Sequence, residues 1–213
     1  MKIETVYIVS GYMRSGTSMM MKALEKGGMT ARYNTAKDRI LSDKYEHPDY
    51  HPNPEGFYEL GTKEFESEDF PTMYQGQLIK ALHWRLKDLP LFCYKVVFML
   101  RDPREIEVSY LKMFRQRPPF VLQTYHEFIE KTLSGLSKRG DMDITSVWHN
   151  DMIQTPHQVL GILKQNGFPI TNIKSGAESV NPDLYRSKGK DLDRVRKSIP
   201  GLRTDLPDCL NKS

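Results

Sequence analysis

The 213-residue chain carries 31 Lys plus Arg against 27 Asp plus Glu, a formal net charge of +4, and two cysteines, Cys93 and Cys209. That length fits one α/β domain over residues 1–213 and buries a core without help, and cysteines outside any CxxC or Cys/His pattern exclude a disulfide framework or a structural zinc. The mild positive excess suits an anionic small ligand and falls short of the basic face that nucleic acid demands.

The longest apolar run, residues 96–100, has strand length and is too short for a transmembrane segment. The first residues run directly into an apolar strand with no signal-peptide core, so a soluble, cytoplasmic protein in a reducing compartment is expected.

In chain order, residues 5–9 (Thr-Val-Tyr-Ile-Val) form a β-branched and aromatic run, the pattern of a strand buried on both faces. A glycine-containing turn at residues 11–16 leads into a helix over 17–26, built on Met20, Met21 and Leu24 and ended by Gly27-Gly28. Strand, turn and helix in that order open a parallel α/β sheet. Residues 30–58 show no regular period, and 47–56 read as a long loop rich in turn formers. A short helix falls within 61–70, while 77–82 fits a strand or a helix edge.

A second buried strand spans residues 94–100. Asp102 as N-cap, Pro103 at N1 and Glu105 at N3 then open a helix that carries Ile106, Tyr110 and Met113 on one face. Pro118-Pro119 ends it, a further helix covers 121–136, a strand 143–148, and a helix 156–167. The segment 181–213 is polar and basic. The expected fold is a single α/β domain, a central parallel sheet flanked by helices, with the strand–loop–helix unit of P-loop nucleotide-binding proteins.

The turn Gly11-Tyr12-Met13-Arg14-Ser15-Gly16-Thr17-Ser18 has the properties of an anion cradle. Backbone N–H groups at a helix start face outward at the positive end of the helix dipole. Arg14, Ser15, Thr17 and Ser18 add side-chain donors. The G-x4-G spacing matches a nucleoside-triphosphate loop, but Thr17 stands where that motif has lysine, and the cation sits earlier, at Arg14. A second cation, Arg101, ends the 94–100 strand, with Ser109 eight residues later on the next helix. Ligands of open α/β sheets bind outside the carboxyl ends of strands, so both stations belong to one edge.

The pair Tyr12-Met13-Arg14-Ser15-Gly16-Thr17-Ser18 and Arg101-Asp102-Pro103 through Val108-Ser109-Tyr110 resembles the two donor-binding motifs of the sulfotransferase family. The segment Asn53-Pro54-Glu55-Gly56-Phe57-Tyr58-Glu59 and the unit 143–169 are similar to further family segments. The resemblance implies that Arg14, Ser15, Gly16, Thr17 and Ser18 hold the 5′-phosphosulfate of 3′-phosphoadenosine 5′-phosphosulfate (PAPS; product PAP). It implies that Arg101 and Ser109 hold the 3′-phosphate, joined by Arg186 in the basic segment Tyr185-Arg186-Ser187-Lys188-Gly189.

Sulfuryl transfer also needs a proton acceptor near the acceptor hydroxyl or amine. Residues 78–83 (Leu-Ile-Lys-Ala-Leu-His) resemble a family segment in which a histidine closely follows a lysine, here displaced by one residue. His83 and Glu59 are the candidates, with Glu55 behind them, and Lys80 is placed to neutralise the transferring group. No metal is required: His47 and His51 are four apart, but Pro48 between them and Pro52 just after break a shared helical face. The acceptor class stays open among small molecules, saccharides, lipids and peptides. Two rival readings are a P-loop kinase or nucleotide hydrolase using Thr17 or Ser18 with Asp102 to hold magnesium, and a non-catalytic PAP/PAPS-binding module.

Overall fold

The computed structural model describes residues 5–47, 50–52, 56–118, 124–185, 187–192 and 195. Arg186, residues 53–55 including Glu55, Cys209 and most of the basic segment beyond 192 lie outside them.

The chain begins with β1 (Val6–Gly11), followed by α1 (Thr17–Lys26) and α2 (Thr35–Tyr45). Two short helices, α3 (Thr62–Phe65) and α4 (Phe70–Met73), precede β2 (Leu78–Lys80) and α5 (His83–Leu86). Then come β3 (Tyr94–Leu100), α6 (Pro103–Phe114), α7 (Tyr125–Ser137) and β4 (Met142–Trp148). Three α-helices follow, α8 (His149–Gln154), α9 (Pro156–Gln165) and α10 (Ile173–Glu178), and after them, among the described residues, two 3-10 turns at Pro182–Leu184 and Gly189–Asp191.

The four strands make one sheet in the order β2-β1-β3-β4, every pair parallel. Side chains alternate across it, as a sheet covered on both faces requires. Val9, Val97 and Met99 join Met20, Leu24, Leu160 and Leu163 in one core layer under α1 and α9. Val6, Ile8, Val96 and Phe98 enter the other layer with Ile106, Tyr125 and Ile129 of α6 and α7. Each fully buried Val, Ile or Phe contributes roughly 1.5–3 kcal/mol by leaving water, so these two layers dominate the stability of the sheet.

The single α/β domain with its central parallel sheet is therefore as the sequence pattern demands. Several local expectations are corrected. Within 30–58, residues 35–45 are regular after all: α2 runs from Thr35 to Tyr45, capped by the Asn34 side chain on the Lys37 N–H at 2.9 Å, while the described residues from 46 to 58 form the expected loop. Its outer face is polar and Ile40 is 65% exposed, so the apolar stripe that announces a helix is missing. Residues 78–80 are strand, since Leu78, Ile79 and Lys80 pair with β1. Asp102 does cap α6, accepting from the Arg104 N–H at 2.8 Å, but Glu105 turns to Arg101 rather than back to the cap. The last predicted helix ends at Gln165, and α8 and α10 are additional short helices.

Candidate functional site

Parallel pairing carries all four strand ends to one edge. In register Val9 faces Lys80, Gly11 faces Met99 and Leu100 faces Trp148. Of the residues that follow, Met13, Arg14, Gly16, Thr17 and Ser18 of the loop, with Arg101, His149 and Lys80 at the end of β2, line one cavity of about 410 Å³; Ser15 and Ser109 lie behind that lining. Five cationic side chains line it (Arg14, Lys22, Lys37, Lys80 and Arg101) against one carboxylate, Glu59, among the described residues. Such a balance favours an anionic ligand.

The loop is shaped for a close approach. Arg14 has φ 70° and Gly16 φ 98°, both left-handed. A Cβ on Gly16 would stand 2.5 Å from Cδ2 of His149, so glycine is required there by conformation and by space. Among the described residues no side chain caps α1, and no acidic residue sits in its first turn, while Thr17 and Ser18, whose N–H groups have no partner within the helix, line the cavity. The hydroxyl of Ser15 is buried with no hydrogen-bond partner among the described residues.

The two stations predicted from sequence touch. Arg14 donates from Nε to the Ser109 hydroxyl at 3.0 Å and from Nη2 to the Tyr50 hydroxyl at 2.9 Å. Arg101 is buried and donates three ways: Nη1 to the Arg14 carbonyl at 3.0 Å, Nη2 to the Ser187 carbonyl at 3.1 Å, and Nε to Glu105 at 3.0 Å. A guanidinium has five N–H groups, so two remain after these bonds. Burial lowers its pKa, with the Glu105 carboxylate opposing that shift. Tyr185 lies over the Arg101 guanidinium, 5.8 Å from its ring centre, and hydrogen-bonds Glu105 through its hydroxyl.

Lys80 and Glu59 form a second group. The Lys80 ammonium is 2.7 Å from Glu59 Oε1, donates to the Phe57 carbonyl, and is only 4% exposed. Burial pushes its pKa down, while Glu59 and then Asp38 act to raise it. Glu59 reaches this position because buried Asp38 of α2 holds its backbone. The Asp38 carboxylate accepts from the N–H groups of Phe57 (3.0 Å), Tyr58 (2.7 Å) and Glu59 (3.0 Å). Gly56 at φ 85° admits that carboxylate, which a Cβ would meet at 2.6 Å.

His83 stands elsewhere. It stacks on Tyr12 (5.1 Å, 17° between planes) and packs edge-on to Trp84 and Phe128, and it is not among the residues lining the cavity. Burial lowers its pKa. Asp102 likewise serves its helix cap and an ion pair to Arg104 at 3.3 Å.

His149 was not singled out from the sequence. It follows β4 as Arg101 follows β3, so the rule that located Arg101 applies to it equally. It lines the cavity, is 7% exposed, and its Nδ1 has no hydrogen-bond partner among the described residues. Burial, with the Arg101 charge assisting, pushes its pKa down to about 2, so it is a neutral imidazole at ordinary pH. The unfolded chain takes up the proton near pH 6.5 and the folded one resists it. Stability should therefore fall below pH 6.5 by up to about 1.4 kcal/mol per pH unit through this group. Wild-type protein is expected to lose roughly 2 kcal/mol more than His149→Gln between pH 7 and pH 5 in urea unfolding. Equal losses would show that His149 is solvated when folded.

Fold and site together define a single-domain α/β protein with an anion-receptive cavity at the carboxyl edge of a parallel sheet. No protein-family model matches the sequence, and no curated protein matches it. One solved structure to which the chain is similar is retinol dehydratase in complex with androsterone and inactive cofactor PAP. The match has 17% identity and a TM-score of 0.47, covering 95% of this chain and 74% of that one. It assigns no residue a role. No helix among the described residues is long and apolar enough to cross a membrane.

Proposed function

We propose that the chain is a sulfotransferase that moves a sulfuryl group from PAPS to a hydroxyl or amine acceptor. The observation that carries this reading is the junction of two anion stations at one cavity: Arg14 reaches Ser109, and Arg101 reaches the Arg14 carbonyl. A ligand with phosphate at both ends suits two cationic stations better than a single terminal phosphate does. The buried Ser15 hydroxyl and the uncapped first turn of α1 fit a phosphosulfate group.

In this reading the loop N–H groups with Arg14, Ser15, Gly16, Thr17 and Ser18 hold the 5′ end. Arg101 uses its two remaining N–H groups at the 3′ end, and Ser109, accepting from Arg14, keeps its own O–H to donate there. Arg186, outside the described residues, is proposed to assist. The donor supplies a sulfuryl group whose bond to the 5′-phosphate oxygen breaks, leaving its electron pair on phosphate, as a bond to the acceptor oxygen or nitrogen forms. Arg14 steadies the charge that grows on the phosphate; it stays a cation and gives no proton. Glu59, on the cavity wall, takes the acceptor's proton, and Lys80 beside it balances charge. His83, within its aromatic cluster, is left as a packing residue in this scheme.

The test is thermal unfolding with ligands. PAP at 100 times its dissociation constant should stabilise by about 2.7 kcal/mol and raise the melting temperature by roughly 5–10 °C, with ATP and magnesium doing much less. Arg101→Ala and, more gently, Ser109→Ala should each shrink the PAP shift. A shift produced by ATP–magnesium alone would favour the kinase reading, and none with PAP would sink the sulfotransferase reading.

A further inference from the structure

The cavity has a face whose chemistry differs from the anion stations. Leu41 and Tyr45 of α2, Phe57, and Met113 and Phe114 at the end of α6 belong to one apolar cluster and all line the cavity. Their rings are in contact: Tyr45 meets Phe114 at 5.0 Å and Phe57 at 6.3 Å, both edge-on. Trp84, 40% exposed, adds an indole from α5. The charged groups on this side are Glu59 and Lys80, bonded to each other, and Lys37, whose ammonium donates to the Leu60 carbonyl at 2.6 Å.

From this arrangement we infer that the acceptor is a small, neutral compound with a flat or alicyclic apolar body and one reactive hydroxyl. The inference rests on the sulfotransferase reading above. An apolar body covers the aromatic face and displaces water from it, while the hydroxyl at its end meets the Glu59 carboxylate. In the transfer that oxygen gains the sulfur and its proton passes to Glu59 and then to solvent. A saccharide would bury several hydroxyls against carbon and aromatic edges, and a peptide would bury backbone amides there; both leave polar groups without partners. Aromatic edges and methionine also adapt to ring systems of differing outline.

The experiment runs two measurements on the full chain. The first is the PAP melting shift. The second is transfer of labelled sulfate from PAPS to 2-naphthol, to N-acetylglucosamine and to a tyrosine-containing peptide. A PAP shift is expected, with kcat/KM for 2-naphthol at least ~100-fold above either other acceptor, the scale on which apolar sites reject added polar groups. Trp84→Ser, at a half-exposed position, and Leu41→Asn should each raise KM for 2-naphthol about 10-fold and leave the PAP shift unchanged. A normal PAP shift with equal or faster transfer to the sugar or peptide, with transfer to none of the three, or with unchanged KM in both variants, overturns the acceptor inference alone. Absence of any PAP shift overturns the sulfotransferase reading and this inference with it.

Discussion

If the chain transfers sulfate as proposed, Arg14→Ala should lower that transfer by about 10²–10³-fold, the usual cost of removing one donor aimed at developing charge. The substitution introduces no new backbone strain, because Arg14 already holds φ 70° and alanine meets the same left-handed penalty. What it removes is the only loop cation and two bonds, to Ser109 and to Tyr50. Arg14→Lys should recover part of the rate, since it returns the charge without the fork that ties the two stations together. The PAP melting shift should shrink in Arg14→Ala and return partly in Arg14→Lys. If Arg14→Ala transfers sulfate within threefold of wild type, Arg14 is a strut between loop and helix and has no part in the chemistry.

Asp38→Ala should destabilise the fold by roughly 3 kcal/mol, because three backbone donors lose a buried carboxylate at once. For a chain of this size that corresponds to a melting temperature lower by about 6–12 °C. The same change releases residues 57–59, so Glu59 loses its fixed approach to Lys80 at 2.7 Å. Transfer should fall by at least ~10²-fold, as it does when a reacting group is misplaced by an ångström. PAP binding should weaken less than transfer, since Arg14, Gly16 and Arg101 belong to the β1–α1 turn and β3, while only Ser18, which donates to the Phe57 carbonyl at 3.3 Å, loses a fixed partner. Asp38→Asn should be milder, keeping one acceptor oxygen and presenting an amide to the remaining donors. Melting of Asp38→Ala within 2 °C of wild type would show that water replaces the carboxylate.

The site was readable in unequal parts. Gly16, with the strand before it and α1 after it, and Arg101 at the end of β3 are local features: neighbours within a few residues set their geometry. Glu59 and Lys80 were both named from the sequence, but their pairing was not, because they lie on separate segments joined through Asp38 of a helix with no apolar stripe. His149 followed from a rule already in use, applied to one strand fewer than it governs. His83 was named for its residue type and its neighbours in sequence; its stacking on Tyr12 joins residues 71 positions apart and was not legible there.

By itself, then, the sequence determined the two buried strands, the glycine-containing turn between β1 and α1, and the helices that open at Thr17, Pro103 and Pro156, because period, glycine, proline and cap residues act over one or two turns. Tertiary structure alone decided the strand order, the meeting of Arg14 with Ser109, the Lys80–Glu59 pair and the aromatic face beside it. Those contacts join residues tens of positions apart. Packing two core layers on one parallel sheet brings them together, and no short-range pattern in the chain encodes that.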